Sequence, residues 1–213
     1  GKIAQLSTDG IPQFLFYMSG NLFWTYFSTC LNAGKSIFSA NESLFSQVYF
    51  PRLTVPISQA ISAFIKLIIQ FILFAGFYYY FTINGMESKL SFQTILIPLL
   101  LFQCSLLGIG TGILISSFTV KYKDLNFLYA FIVSLWMYIS PIVYPLSTLP
   151  KKWHYLISFN PMVGIVETAR KILFGISSIE STFILNGLIT TVVMLFIGLI
   201  IFNRVEKTFL DSV

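Results

Sequence analysis

What most limits the fold of this chain is the spacing of its apolar residues. They gather into five stretches, 13–31, 56–83, 92–118, 126–142 and 182–202. A helix needs about 20 apolar residues to cross a hydrocarbon core of roughly 30 Å. Inside that layer the backbone must satisfy its own hydrogen bonds, which helices do segment by segment. The fold class is therefore all-α integral membrane, with the chain forming a single transmembrane domain. Composition agrees: 10% of residues are charged, against about 25% in a soluble domain, and mean hydropathy is +0.81. An ordinary soluble globule and a disordered chain are both excluded. With five spans, the two ends of the chain lie on opposite sides of the membrane.

The net charge of +5 comes from 13 Lys and Arg against 8 Asp and Glu. These cations stand singly or in pairs between the apolar stretches, so they read as flanking anchors and not as a nucleic-acid footprint. Counting them does not orient the protein. Lys35, Arg52, Lys121, Lys123, Arg204 and Lys207 fall on one side, and Lys2, Lys89, Lys151, Lys152, Arg170 and Lys171 on the other. Cys30 and Cys104 lie inside apolar stretches and read as small buried hydrophobes. With His154 as the sole histidine, no metal site is predicted. The first stretch is the least apolar, because Ser19, Gly20, Asn21 and Thr25 interrupt it. The chain opens without Met in a polar segment, as if an upstream portion were absent.

The long connection, 143–181, is not a plain loop. Pro141, Pro145, Pro150 and Pro161 divide a segment that stays rich in Trp, Tyr, Leu and Ile. Residues 151–159 predict a short helix stopping at Asn160, since the residue before a proline disfavours helical geometry. Residues 162–174 predict a second helix. There Glu167, Arg170 and Lys171 stand at i, i+3 and i+4, a polar stripe opposite Val163, Ile165, Val166, Ala169 and Leu173. Two short amphipathic helices beside a span predict a re-entrant or interfacial hairpin. On the opposite side, 34–55 predicts a surface helix: Asn41 is placed to cap it, Leu44, Phe45, Val48 and Tyr49 have helical spacing, and Pro51 and Pro56 end it.

Three apparent motifs dissolve on inspection. Gly34-Lys35-Ser36 ends like a phosphate-binding loop, but Thr29 stands where that loop needs its first glycine. The alternating glycines at Gly108, Gly110 and Gly112 follow no soluble strand. Gly108 and Gly112, with Ser116, instead form a small-residue face for close helix packing. Asn41-Glu42-Ser43 is a glycosylation sequon by pattern only. No catalytic triad can be assembled around His154, and no pair of acids is set for general acid–base work. Lys66 is the ionisable residue placed well inside a span, at a cost of at least about 2.5–3.5 kcal/mol at the bilayer centre. It either lines a polar conduit, faces a partner helix, or snorkels toward the nearer surface. Tyr78, Tyr79 and Tyr80 fit an interfacial belt. Tyr129, Trp136, Tyr138 and Tyr144 decorate the fourth span and its exit, where flat rings with polar tips suit either helix packing or the lining of a passage for sugars.

Four stretches in order along the chain carry a family resemblance. Val48-Tyr49-Phe50-Pro51-Arg52-Leu53, Lys121-Tyr122-Lys123-Asp124-Leu125, and Ser140-Pro141-Ile142-Val143-Tyr144-Pro145 with Trp153 and Asn160-Pro161 are three of them. The fourth is the ending Arg204-Val205-Glu206-Lys207-Thr208-Phe209-Leu210-Asp211. Together they resemble the permease subunits of polysaccharide-exporting ABC transporters. The resemblance implies a type-2 ABC exporter permease fold, with the five spans here matching the family's second to sixth. It implies a homodimer in the bacterial cytoplasmic (inner) membrane, clamped to two copies of a separate ATPase that binds ATP and Mg, with no cofactor in this chain. The implied cargo is a lipid-linked glycan such as O-antigen, capsule or teichoic acid.

By the same resemblance, Leu44, Val48, Tyr49, Phe50, Pro51, Arg52, Lys121, Tyr122, Lys123 and Asp124 couple to the ATPase from the cytoplasmic side. Pro141, Tyr144, Pro145, Trp153, Asn160 and Pro161 belong to an extracytoplasmic gate over a conduit at the homodimer interface. Lys66, Tyr129, Trp136 and Tyr138 are the candidate conduit lining. Two rival readings remain: a permease of the same fold exporting a drug or lipid, and an intramembrane enzyme or scaffold that needs no ATPase.

Overall fold

The computed structural model describes residues 8–37, 53–87, 92–122, 124–175 and 179–210. All regular structure among them is helical. In chain order the helices are α1 (Gln13–Lys35), α2 (Thr54–Ile83), α3 (Ile97–Lys121, entered through a 3₁₀ turn at Phe92–Leu96), α4 (Leu125–Ile139), α5 (Lys151–Ser158), α6 (Pro161–Phe174) and α7 (Ser181–Leu210). Those bounds follow from local chemistry. Pro98 sits in the first turn of α3 and Pro161 in that of α6, where a missing N–H costs nothing. The Asn160 side chain caps α6 by accepting from the Met162 N–H, and Gly175 closes it with φ of 66°, a left-handed geometry that suits glycine. Ser140 is extended, with ψ of 144°, as Pro141 behind it requires. The fourth apolar stretch therefore stops being helical at Ile139.

Three helical segments are long and apolar enough to cross a membrane: Thr54–Ile83, Phe92–Thr119 and Ser181–Val205. They make the chain a multi-pass membrane protein. Two of the five expected spans fall short of that standard. The 15 residues of α4 reach about 22 Å at 1.5 Å per residue, less than a hydrocarbon core. The 23 residues of α1 are long enough but too polar.

Packing explains the polarity of α1. It lies in the centre, with α3 along one side, α2 along another and α6 against its N-terminal half. Leu15, Phe16, Leu22, Phe23, Phe27, Cys30 and Leu31 are all buried there. In contrast, α2 and α7 are mostly exposed and carry rows of isoleucine, leucine and phenylalanine on their outer faces. In a bilayer the surface is the most apolar part of the protein, so the least apolar of the long helices goes inside.

The α1–α3 seam is close because it is made of glycines. A Cβ at Gly108 would stand 2.7 Å from Cys30 Cβ and 2.8 Å from the Phe27 carbonyl oxygen; one at Gly112 would run into the Leu31 carbonyl. Gly34 meets Gly112 from the other helix. Gly110 faces the opposite way, where its Cβ would lie 2.8 Å from Leu195 Cα, and Gly198 of α7 presses against the Gly110 carbonyl. Opposite faces of the same turn of α3 are thus fitted to two different neighbours. Tyr78 departs from the expected tyrosine belt. It is buried, stacks on Phe174 at 5.9 Å and donates to the Leu173 carbonyl at 3.1 Å. Tyr79 and Tyr80 stay exposed, because three consecutive helical residues point 100° apart and one of them must face α6.

Replacing Gly112 by Val should cost about 1–3 kcal/mol, since its contacts are backbone atoms that cannot swing aside. Heating the detergent-solubilised protein before size-exclusion chromatography measures this as a lowered midpoint. Gly76→Ala, a site with nothing within 4 Å, should leave the midpoint in place.

Candidate functional site

Between α4 and α6 the chain leaves helical geometry while still packed inside the protein. Pro141 and Ile142 are buried, so their carbonyls need partners. Arg170 supplies them. Its Nη1 donates to the Pro141 carbonyl and to Glu167 Oε1 at 2.9 Å; its Nη2 donates to the Ile142 carbonyl at 2.9 Å and to the Phe16 carbonyl of α1 at 3.4 Å. The guanidinium also lies 3.6 Å from the centre of the Phe16 ring, a cation–π contact strengthened by the absence of water. Gly20 makes room for this, since a Cβ there would come within 2.9 Å of Arg170 Nη2 and 3.1 Å of the Ile142 carbonyl oxygen. One side chain therefore ties together α1, α6 and the broken segment after α4.

This overturns the expected polar stripe on α6. Glu167 is 4% exposed and Arg170 1%, and only Lys171 of the three reaches the surface. The helix is buried nearly all round, packed on α7, α3 and α1. Gly164 allows that contact, its would-be Cβ lying 2.8 Å from the Phe183 carbonyl oxygen. Burial pulls the pKa of Arg170 below its ordinary value, and the charge and hydrogen bond of Glu167 pull it back. Burial, with the nearby Glu167 carboxylate, likewise raises the Tyr144 phenol.

A second polar chain joins α4 to the start of α6. Trp136 Nε1 donates to Asn160 Oδ1 at 3.0 Å, and Asn160 Nδ2 donates to Ser140 Oγ at 3.0 Å. The indole also stands edge-on to Phe27 of α1, centroids 5.0 Å apart. Tyr129 donates to Asn32 Oδ1 at 2.7 Å and carries Lys35 Nζ over its ring at 4.8 Å. Tyr129 and Trp136 thus face α1, whereas Tyr138 points outward at 68% exposure. The aromatic set is split, and Trp136 is brought to Asn160.

The other residues expected in a gate lie along the same stretch between α4 and the start of α6. Tyr144 donates to the Ile139 carbonyl at 2.8 Å, and Pro145 and Pro161 are buried. Trp153 lies on α5, which turns Tyr155, Leu156, Trp153 and the cations Lys151 and Lys152 outward while Ser158 faces in. Beside it is an open cavity of about 640 Å³, bordered by Asp9, Ser147, Lys151, His154, Glu180 and Asn186 among others. Lys66 is exposed on α2, away from the hairpin. Of the residues expected to meet the ATPase, Tyr122 and Asp124 are exposed at the turn before α4. Leu44, Val48, Tyr49, Phe50, Pro51, Arg52 and Lys123 lie outside the described residues, as does the expected surface helix around them, and Lys121 closes α3. Sequence reasoning missed Phe16, Gly20 and Ser140. The available signal was Glu167-x-x-Arg170 in an otherwise apolar helix, next to a proline-broken chain with carbonyls to satisfy.

Helices long and apolar enough to cross a membrane, packed around a buried arginine, make this an integral membrane protein. Comparison with known proteins narrows the class. The family model for the ABC-2 type transporter matches residues 2–174, and the chain belongs to that family. It is 24% identical to the O-antigen export system permease protein RfbA of Klebsiella pneumoniae, over 94% of this chain and 76% of the relative. It is 23% identical to the protein of that name from Myxococcus xanthus, over 96% and 78%. With the polysialic acid transport protein KpsM of Escherichia coli it shares 26% identity, over 100% and 81%.

Arg170→Met should destabilise the protein by about 3–5 kcal/mol, because it strands Glu167 without its charge partner inside the fold. Adding Glu167→Leu should restore part of that loss and not all, since the Pro141 and Ile142 carbonyls stay unpaired. Thermal unfolding of the single and double variants in detergent checks both.

Proposed function

We propose that this chain is the permease subunit of an ATP-driven exporter that moves a lipid-linked polysaccharide across the bacterial inner membrane. Its likeness to O-antigen and polysialic acid permeases over nearly its whole length carries this reading. Family membership implies an ABC ATPase as partner. In the proposed assembly two copies of the chain enclose a conduit and two ATPase copies, holding ATP and Mg, drive it.

The geometry suits such a machine. α4 begins at the cytoplasmic turn beside Asp124 and ends at Ser140, where Trp136 and Asn160 tie it to the hairpin. Motion imposed on the turn by closure of the ATPase pair travels along about 22 Å of stiff helix to the outer segment. The hairpin around Pro141, Tyr144, Pro145, Trp153, Asn160 and Pro161 then acts as the outer gate. Leu44 to Arg52 and Lys121 to Asp124 form the contact with the ATPase.

Deleting the gene should remove a surface glycan, visible on a gel of extracted envelope polysaccharide. Intact glycan with altered drug sensitivity would instead support a drug or lipid exporter. The protein purified gently from its native membrane should bring a P-loop ATPase in equal amount. Arg52→Glu should lose that ATPase and the export while the permease stays in the membrane; normal export in the variant would remove Arg52 from the coupling contact.

A further inference from the structure

The open face of α1 has a composition that lipid does not tolerate. From Asn21 to Lys35 every side chain of α1 that is not buried is polar: Asn21, Thr25, Ser28, Thr29, Asn32 and Lys35. Four of them, Asn21, Thr25, Ser28 and Asn32, repeat at i, i+4, i+7 and i+11, one line along the helix. This face lies between two neighbours. On one flank α4 reaches it through Tyr129 and Asn32. On the other, α2 meets α1 through Phe14 and Phe77, whose rings are 4.7 Å apart, and through Tyr26 and Phe64 at 6.4 Å.

Those two contacts set the antiparallel register of α1 and α2, and the register matters. It brings Asn21 level with Gln70, Thr25 with Lys66, and Ser28 with Ser62. Ser58, Ser62, Lys66 and Gln70 form a second polar line, on the flank of α2 that also holds Phe77 and so borders the open face of α1. Around the same turns, the opposite flank of α2 exposes Ile57, Ile61, Phe64, Ile65 and Ile68. A helix emerging into water or headgroups would be polar on every side at that depth. Here one side is aliphatic, and the other sets lysine and glutamine among exposed Ile69 and Leu73, so the level is that of the hydrocarbon and the lysine needs shelter from it.

We infer that α1, α2 and α4 form the floor and walls of a water-filled trough, and that it passes a hydrated, hydroxyl-rich chain bearing anionic groups. The polar character of the trough fits such a cargo. Ser28 and Asn32 of the floor, and Ser58 and Ser62 of the wall, donate to carbonyls of their own helices. They keep oxygen lone pairs for passing hydroxyls, Asn32 sharing its oxygen with Tyr129 of α4. The sign of charge follows from Lys66 and Lys35, since α1, α2 and α4 carry no carboxylate. At the outer end Phe14 and Phe77 close the polar line. Lys66 is thereby placed in the passage and is not snorkelling into headgroups.

The inference rests on the export reading and is tested apart from it, because thiol labelling reports water access and not cargo. In the protein expressed from its own gene, single cysteines are placed at Ser62, Gln70 and Thr25, with Ile61→Cys and Ile68→Cys as depth-matched controls. Cys30 and Cys104 are fully buried, so the parent protein supplies the background. Membrane-impermeant methanethiosulfonates, one anionic and one cationic, are the probes. The three trough positions should label while the two controls stay at background. At Ser62→Cys and Gln70→Cys the anionic reagent should be favoured over the cationic one by about 25-fold, since one unit charge at roughly 4 Å in water speeds the first about fivefold and slows the second as much. Lys66→Gln should abolish that preference. Trough positions no more reactive than the controls would overturn the inference, as would happen if lipid, another helix or a second copy covers the face. Labelling without charge preference would overturn its anionic part.

Discussion

A chain that leaves helical geometry among packed apolar helices has carbonyls to satisfy and no water to satisfy them, and Arg170 meets that constraint here. The Pro141 and Ile142 carbonyls are unpaired by any helix, and the guanidinium donates to both while answering Glu167 and the Phe16 carbonyl. Buried ion pairs are seldom net stabilisers, because removing two charges from water costs several kcal/mol for each ion. This one is better understood as a condition on the path of the chain. With the arginine in place the segment after α4 can turn back against α1, and α6 can lie buried. The glycine at position 20 belongs to the same solution, because a side chain there would occupy the space of the guanidinium.

The two helices after α4 were legible in the sequence. Prolines at 150 and 161 bracket α5 and open α6, and both helices lie where residues 151–159 and 162–174 predict them. What was not legible was which way α6 faces. Acid and base at i and i+3 read as a solvated stripe because such pairs commonly decorate helix surfaces, and the spacing is identical when the pair is buried. Only contacts with residues distant in sequence separate the two, and Phe16 is 154 positions away. Tyr78 illustrates the same limit, as a run of three tyrosines does not disclose which of them turns inward. The glycines of α3 divide similarly. Gly108 and Gly112 could be read as one small-residue face, but the use of Gly110 against α7 depends on a neighbour 85 residues later.

Hydropathy along the chain ranks the helices by their surroundings and not by their importance to the fold. α2 and α7 face outward and are rich in isoleucine and leucine, whereas α1 is interrupted by serine, glycine, asparagine and threonine and lies at the centre. The interruptions have different causes. Ser19 and Gly20 are buried, and Gly20 gives space to Arg170. Asn21, Thr25, Ser28 and Asn32 sit on the face left open between α2 and α4. A window average merges the two sets and reports only that the segment is a poor span.

The short helix α5 is held differently from everything around it. Its exposed side combines Trp153, Tyr155 and Leu156 with Lys151 and Lys152, the mixture that settles at the boundary between acyl chains and headgroups. Its inner contacts are few, chiefly the bond from Asn186 to Ser158 Oγ and the edge-to-face contact of His154 with Phe183. The depth of α5 is consequently shared between protein and lipid. Bilayer thickness differs among membranes and moves that boundary by a few ångströms, so the height of α5 over the bundle follows the lipid composition of the host membrane.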